Sequence, residues 1–214
     1  MQKSVDAMNV IVLAAGTSSR MGKTNKLLIP VNSMTMVANT CLEALKFLAS
    51  QNSKSRLVVV TGYRHASTVK ALKICTDYVA QSSSQLDMVI VRNTGYIEGQ
   101  FTSAKIGVRE IPDGEPFFIQ LADMPLVKAC HYNALCTLLN GNDAVRPRVD
   151  GKPGHPVLLS PKLKDIILKS DNNMSVNRIL EKCNVIDYVS SDASYIRDVD
   201  TSEDVIGISE ILTV

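Results

Sequence analysis

Two near-continuous apolar runs, NVIVLA (9–14) and RLVVVTG (56–62), have the pattern of strands covered on both faces. DMVIVRN and PFFIQLA repeat it, and DAVRPRV is a more polar fifth candidate. Between the first two runs, Val37, Cys41, Ala44, Leu45 and Leu48 share one helical face. Ala104, Gly107, Val108 and Ile111 do the same between the third and fourth, and Val127, Ala134, Leu135 and Leu138 mark a helix after the fourth. Strands alternating with amphipathic helices predict βαβ units: an α/β fold with a mostly parallel sheet and helices on both faces. The last third is less regular. It offers HPVLLS, a helix opening at Ser160 and Pro161, NVIDYVSS, and a final helix from about Thr201. The pattern reads as one domain with an accessory C-terminal portion.

Composition narrows the function classes. The chain of 214 residues is 45% hydrophobic and 21% charged, ordinary for a folded domain with a sizeable core. Its 23 basic and 21 acidic residues leave a net charge of +2, too balanced to argue for nucleic acid or an anionic membrane as partner. Five scattered cysteines, an odd number without a C-x-x-C pair, point to reduced thiols rather than a disulfide framework. The three histidines complete no zinc spacing. With no signal-peptide pattern and no run of membrane-spanning length, the expectation is a cytoplasmic protein.

Ligands of open α/β sheets bind beyond the carboxyl ends of the strands. Those ends carry AAGTSSRMGKTNK, TGYRH, NTGYIEGQFTS and ADMPLV. The first contains a Gly-Lys-Thr, yet five residues separate Gly16 from Gly22 where a P-loop allows four, and Pro30 prevents the helix a P-loop enters. A dinucleotide G-x-G-x-x-G is also missing. What remains is a stretch of small residues, through which backbone N–H groups approach an anion closely, followed by Arg20, Lys23 and Lys26. A basic surface turn is the plainer reading. Asp123, just past the fourth strand, is read either as a cap of the next turn or as a Mg²⁺ ligand. Thr201 and Asp204 read as a capping box.

LAAGTSSRMGKTNK resembles the L-A-[AG]-G-x-S-x-R-M-G-x-x-K signature of the nucleotidyltransferases that include the molybdenum cofactor guanylyl- and cytidylyltransferases. The resemblance implies a Rossmann-like single domain, with a nucleotide-binding half over about 9–125 and an acceptor-side half over about 126–214. It implies base and phosphate contacts from Leu13, Ala14, Ala15 and Gly16, with Arg20 on the β- and γ-phosphates and Lys26 near the α-phosphate. ADMP is similar to the family's G-D-M-P, making Asp123 a metal ligand, and DVDTSEDV is similar to its D-[IV]-D-T-x-E-D, making Asp200 the second and leaving Asp198 structural. Gly99, Thr102, Ser103 and Gly107 match the outline of the cytidylyl branch, Gly99 and Ser103 on the nucleotide. GHPV is the family's acceptor-side hallmark. It makes His155 a site residue or a buried polar side chain orienting the loop, with Arg146, Arg148 and Lys152 near an anionic pterin phosphate. NNMSVNRILEKC lies where relatives carry glycines that are missing here.

The activity that the resemblance implies is a Mg²⁺-dependent transfer of CMP from CTP to the terminal phosphate of molybdopterin. Lys26, Arg20 and Asp123 would be its catalytic groups, and transient contact with a molybdoenzyme or its chaperone is implied. Guanylyl transfer, another phosphorylated acceptor such as a sugar or alcohol phosphate, and a non-catalytic nucleotide sensor are the alternatives.

Overall fold

The first half of the chain, in a computed structural model describing residues 7–17, 25–31, 33–51, 53–82 and 85–213, runs β1 (Asn9–Ala14), β2 (Pro30–Val31), β3 (Met34–Thr35), α1 (Met36–Ala49), β4 (Ser55–Thr61), α2 (His65–Ala71), α3 (Lys73–Gln81) and β5 (Leu86–Arg92). The second half runs α4 (Gln100–Arg109), β6 (Phe117–Leu121), α5 (Ala129–Cys136), β7 (Ala144–Val149), β8 (Lys152–Pro153), β9 (Val157–Leu159), α6 (Lys162–Lys169), α7 (Val176–Leu180), β10 (Val185–Val189) and α8 (Ser202–Thr213).

The main sheet has the order β10-β7-β9-β6-β1-β4-β5, with β8 on β7. Parallel pairing joins β5, β4, β1 and β6, and also β7 and β10; only β9 and β8 run against their neighbours. β2 and β3 form a separate antiparallel ribbon.

The continuous apolar runs have the physical cause expected of them. Every residue of β1 is buried. Val10, Val12 and Ala14 pack with α1, α3, α5 and Ile208 of α8, whereas Ile11 and Leu13 pack with α4, α6 and α7 on the opposite face. Alternation is present but hidden, because both faces are apolar. Phe47 of α1, Phe118 of β6 and Tyr132 of α5 meet with ring centroids 5.1–5.5 Å apart, fixing the first helix layer to the sheet.

α4 lies unusually close to the sheet on the second face. A Cβ on Gly107 would stand 2.4 Å from Ile11 Cγ2 and 3.0 Å from Val60 Cγ2. Gly107→Ala is therefore expected to destabilise by about 1–2 kcal/mol, overpacking costing more than the roughly 1 kcal/mol that alanine gains in helix propensity. A lowered urea midpoint at unchanged slope is the measurement that checks it.

Some elements depart from the sequence pattern. α2 and α3 occupy 65–81, where no helix is predicted; the only buried residues within them are Thr68 and Cys75, so the apolar stripe is thin. α5 is shorter than its apolar pattern, leaving Val127 and Leu138 in flanking turns. HPVLLS does form a strand, but β9 inserts antiparallel between β6 and β7, which carries His155 to the carboxyl end of β6. Among the described residues, no helix is long and apolar enough to cross a membrane.

Candidate functional site

β1 leads to β4 and β5 on one side of itself, and the chain then returns to β6 on the other. The carboxyl ends of β1 and β6 thus flank the topological switch point, where open α/β sheets hold ligands. Beyond the strands their pairing continues, Ala122 N–H donating to the Leu13 carbonyl at 3.1 Å. Ala14 and Ala15 are buried, and at Gly16 the space around a Cβ is open to 4 Å. Small residues are required beside them too: a Cβ on Gly62 would meet Ala15 and Tyr96 at 2.8 Å, so three strand-end loops converge there. Arg20 and Lys23 lie outside the described residues.

Lys26 opens a one-turn 3₁₀ helix that Asn25 caps, the Asn25 Oδ1 accepting from Leu27 N–H. Its ammonium sits 2.7 Å from Asp123 Oδ2 and 2.8 Å from Asp200 Oδ1, with its side chain only 13% exposed. The Asp123 backbone carbonyl accepts from Val199 N–H at 2.9 Å, and this bond, with the Lys26 bridge, ties the 198–200 segment to the end of β6. Ligand oxygens of Asp123, Asp198 and Asp200 consequently lie within 4.8 Å of one another. Hydrogen bonds separate the α8 cap from the carboxylates that face Lys26. The expected capping box forms at the start of α8: Thr201 Oγ1 accepts from Asp204 N–H at 3.2 Å, and the Asp204 carboxylate accepts from Thr201 N–H at 2.8 Å and Asp200 N–H at 3.0 Å. The Asp123 carboxylate serves Lys26, and its other oxygen, Oδ1, is buried with no hydrogen-bond partner among the described residues. A buried acceptor of that kind costs about 1–3 kcal/mol unless something binds it. Hard carboxylate oxygens, three together with one unsatisfied, fit Mg²⁺ or a similar divalent cation.

Two cavities open at this end of the sheet. The smaller, about 140 Å³, is lined by Gly16, Lys26, Ser103, Asp123 and their neighbours; the larger, about 310 Å³, includes Gly99, His155 and the segment 172–177. They share Leu13, Gln100 and Leu121, so they are adjoining chambers on either side of one short wall. Gly99, at φ +119°, makes the bend before α4 that directs Gln100 and Ser103 toward the smaller chamber. Thr102 does not cap α4 from outside; it lies within the helix, donating to the Gly99 carbonyl at 2.7 Å. Buried Asn93 donates to both Thr102 Oγ1 and Ser103 Oγ at 2.9 Å.

His155 is held by its backbone N–H on the Tyr195 carbonyl (2.7 Å) and by Nδ1 on the Ile119 carbonyl (3.2 Å). A carbonyl only accepts, so Nδ1 carries the proton and Nε2 is an acceptor. Burial lowers the His155 pKa from its ordinary 6.5, opposed by the Ile119 bond and by Asp123 and Asp198. Below pH 6.5 the unfolded chain takes up a proton that the folded chain refuses, so stability present above that pH is lost as pH falls. The thermal midpoint is expected to drop between pH 7 and 5.5, and His155→Gln to flatten that slope. Asp187 and Asp192, also depressed, contribute losses only at much lower pH, around their ordinary 3.8 and below.

Arg146 is placed elsewhere. It and Arg148 point from β7 to Asp187 on β10, at 3.0 Å each, and neither lines the two chambers. Partial burial pushes the Asp187 pKa up, but hydrogen bonds from the two arginines outweigh it and hold the carboxyl below its usual range. Lys152 is exposed in β8. Asp198, read as structural, instead joins the carboxylate cluster. The segment 172–177, within the stretch where relatives carry glycines, and Gln100, to which the sequence assigns no role, both line the chambers.

The profile of the MobA-like NTP transferase domain matches residues 10–187, most of the chain and all of the main sheet except the first residue of β1 and the end of β10. The chain belongs to the MobA-like NTP transferase family. This MobA-like chain is 29% identical over 212 residues to the molybdenum cofactor cytidylyltransferase of Escherichia coli K12, covering 98% of itself and 99% of that protein. In fold it is similar to Rv0371c of Mycobacterium tuberculosis H37Rv, with a TM-score of 0.73 at 22% identity over 97% of this chain and 100% of the other. Rv0371c is also known in complex with manganese. The molybdopterin-guanine dinucleotide biosynthesis protein A of Archaeoglobus fulgidus superposes with a TM-score of 0.68 at 17% identity, over 96% and 98% of the two chains. The chain is thus a nucleotidyltransferase with a Rossmann-like α/β fold.

Proposed function

We propose that this MobA-like chain is a Mg²⁺-dependent cytidylyltransferase that moves CMP from CTP to the terminal phosphate of molybdopterin, releasing pyrophosphate. The observation that carries the chemistry is Lys26 bridging Asp123 and Asp200 beside the small-residue turn after β1. The choice of CTP and of molybdopterin is supported by near-full-length similarity to the Escherichia coli enzyme.

A phosphate monoester loses its second proton near pH 6, so at neutral pH the acceptor phosphate is already a nucleophile and needs no base. Its oxygen forms a bond to the α-phosphorus in line while the bond from that phosphorus to the bridging β-oxygen breaks, and the electron pair leaves with pyrophosphate. Catalysis then consists of positioning and charge neutralisation. The turn from Leu13 to Gly16, with Ser103, binds the nucleotide in the smaller chamber, and Gly99 makes the bend that brings the start of α4 to it. Lys26 leaves its carboxylate partners for the α-phosphoryl group as charge develops there. Arg20, assigned from its motif position alone, holds the departing pyrophosphate. Asp123 and Asp200, joined by Asp198, would hold Mg²⁺, which when bound neutralises negative charge on phosphate oxygens. His155 keeps an acceptor nitrogen at the larger chamber, where the acceptor sits.

Thermal shifts with CTP, GTP and ATP, each with Mg²⁺, test the nucleotide choice. Ligand at a hundred times its Kd adds about 2.7 kcal/mol, roughly 5–10 °C for a chain of this size. CTP alone is expected to give the shift. A GTP preference moves the protein to guanylyl transfer, and no shift with any nucleotide contradicts the assignment of the smaller chamber.

A further inference from the structure

We propose that segment 172–177 is the specificity wall of the larger chamber, reading the polar edge of a flat fused heterocycle, and that Lys105 fixes this wall in place. The proposal rests on the reading of that chamber as the acceptor side. Its lining is of two kinds. Phe101, Leu121 and Val157 supply apolar surface, while Asn172, Asn173 and Asn177 supply three carboxamide side chains from one short stretch of chain. Each carboxamide is a planar group carrying both donor and acceptor. A pterin ring has the complementary form: apolar faces, and an edge where a lactam carbonyl, ring N–H and amino group lie side by side. A sugar or alcohol phosphate presents hydroxyls in all directions and would set some of them against the apolar surface without partners, at a cost.

A loop of exposed asparagines reads nothing unless it is held. Here Lys105 Nζ donates to the Ser170 carbonyl at 2.7 Å and to Asn172 Oδ1 at 3.2 Å, while Asn172 Nδ2 reaches Glu98 Oε2 at 3.4 Å. At the far end Ser175 caps α7, its hydroxyl accepting from Arg178 N–H at 3.2 Å, and Ile179 and Leu180 anchor α7 in the second core cluster. Asn172 is thereby committed to the latch. The Asn173 and Asn177 carboxamides make no hydrogen bond to described residues. Lys105 stands on α4, whose Gln100 and Ser103 line the nucleotide chamber. One helix therefore lines the first chamber and fixes the wall of the second.

The test measures binding of unphosphorylated pterin by fluorescence quenching on the wild type, Asn173→Leu, Asn177→Leu, Lys105→Met and Lys105→Arg, with the CTP thermal shift as control. The two asparagine variants, at exposed positions, are expected to bind pterin roughly three- to tenfold more weakly, the worth of one net hydrogen bond, with the CTP shift intact. Lys105→Met is expected to do the same, and Lys105→Arg to restore most of the loss, which a purely structural lysine on α4 would not require. Pterin binding equal to wild type in both asparagine variants overturns the wall while leaving the acceptor reading standing. A wild type that binds no pterin overturns both.

Discussion

Lys26→Met is expected to lower kcat for cytidylyl transfer roughly ten- to a hundredfold while raising the Kd for CTP by much less. A charge-assisted hydrogen bond contributes about 1.5–3 kcal/mol, and each 1.36 kcal/mol in the transition state is a factor of ten in rate. The split matters because a contact made fully only in the transition state affects turnover, whereas one made equally in the ground state affects binding. Equal losses in both contradict the role given to Lys26. The same variant has a signature that needs no substrate. Without the ammonium, carboxylates whose oxygens lie within 4.8 Å face one another with one positive charge fewer between them. Metal-free Lys26→Met should therefore melt below the wild type, and Mn²⁺ should raise its midpoint by more than it raises that of the wild type, since the cation no longer displaces a resident lysine.

Asp123→Asn is expected to reduce transfer by about a thousandfold or more, because charge neutralisation at a phosphoryl centre contributes several kcal/mol. The fold should survive: Lys26 keeps Asp200 as partner, and the backbone bond from Val199 to the Asp123 carbonyl does not involve the side chain. Circular dichroism should be unchanged while the Mn²⁺-induced thermal shift disappears. Transfer within tenfold of wild type would remove Asp123 from the catalytic machinery.

The parallel half of the fold was legible because β1, β4, β5 and β6 are short apolar runs, and a strand buried on both faces has few other ways to be written. α2 and α3 were not, since a helix covering only one sheet edge needs few apolar residues and looks polar. In the site, the ordered signature from Leu13 to Lys26 and the aspartate after β6 mark the switch point in the sequence itself. The capping box of Thr201 and Asp204 was legible from its spacing, whereas the contact of Asp200 with Lys26, residues far apart in the chain, was not. Asp198 stands in the cluster beside a backbone contact, Val199 to Asp123, between residues 76 positions apart, and no local pattern encodes that. Arg146 illustrates the converse. Its proximity in sequence to GHPV suggested the acceptor side, but strand register puts it opposite Asp187 on β10, and the pair satisfies both charges. The wall at 172–177 could not be placed for a related reason: it is the turn after α6 and the start of α7, and it is tied down by Lys105 and Glu98, which stand far from it in the chain.

The most direct measurement is a single-turnover reaction of the protein with molybdopterin, Mg²⁺ and α-³²P-labelled CTP or GTP, followed by separation of the products. The expected result is label from CTP in a pterin-linked dinucleotide, with one pyrophosphate released per transfer and none with Asp123→Asn. Label from GTP instead would assign the other base, and no labelled pterin product from either nucleotide would contradict cytidylyl transfer to molybdopterin as the reaction of this protein.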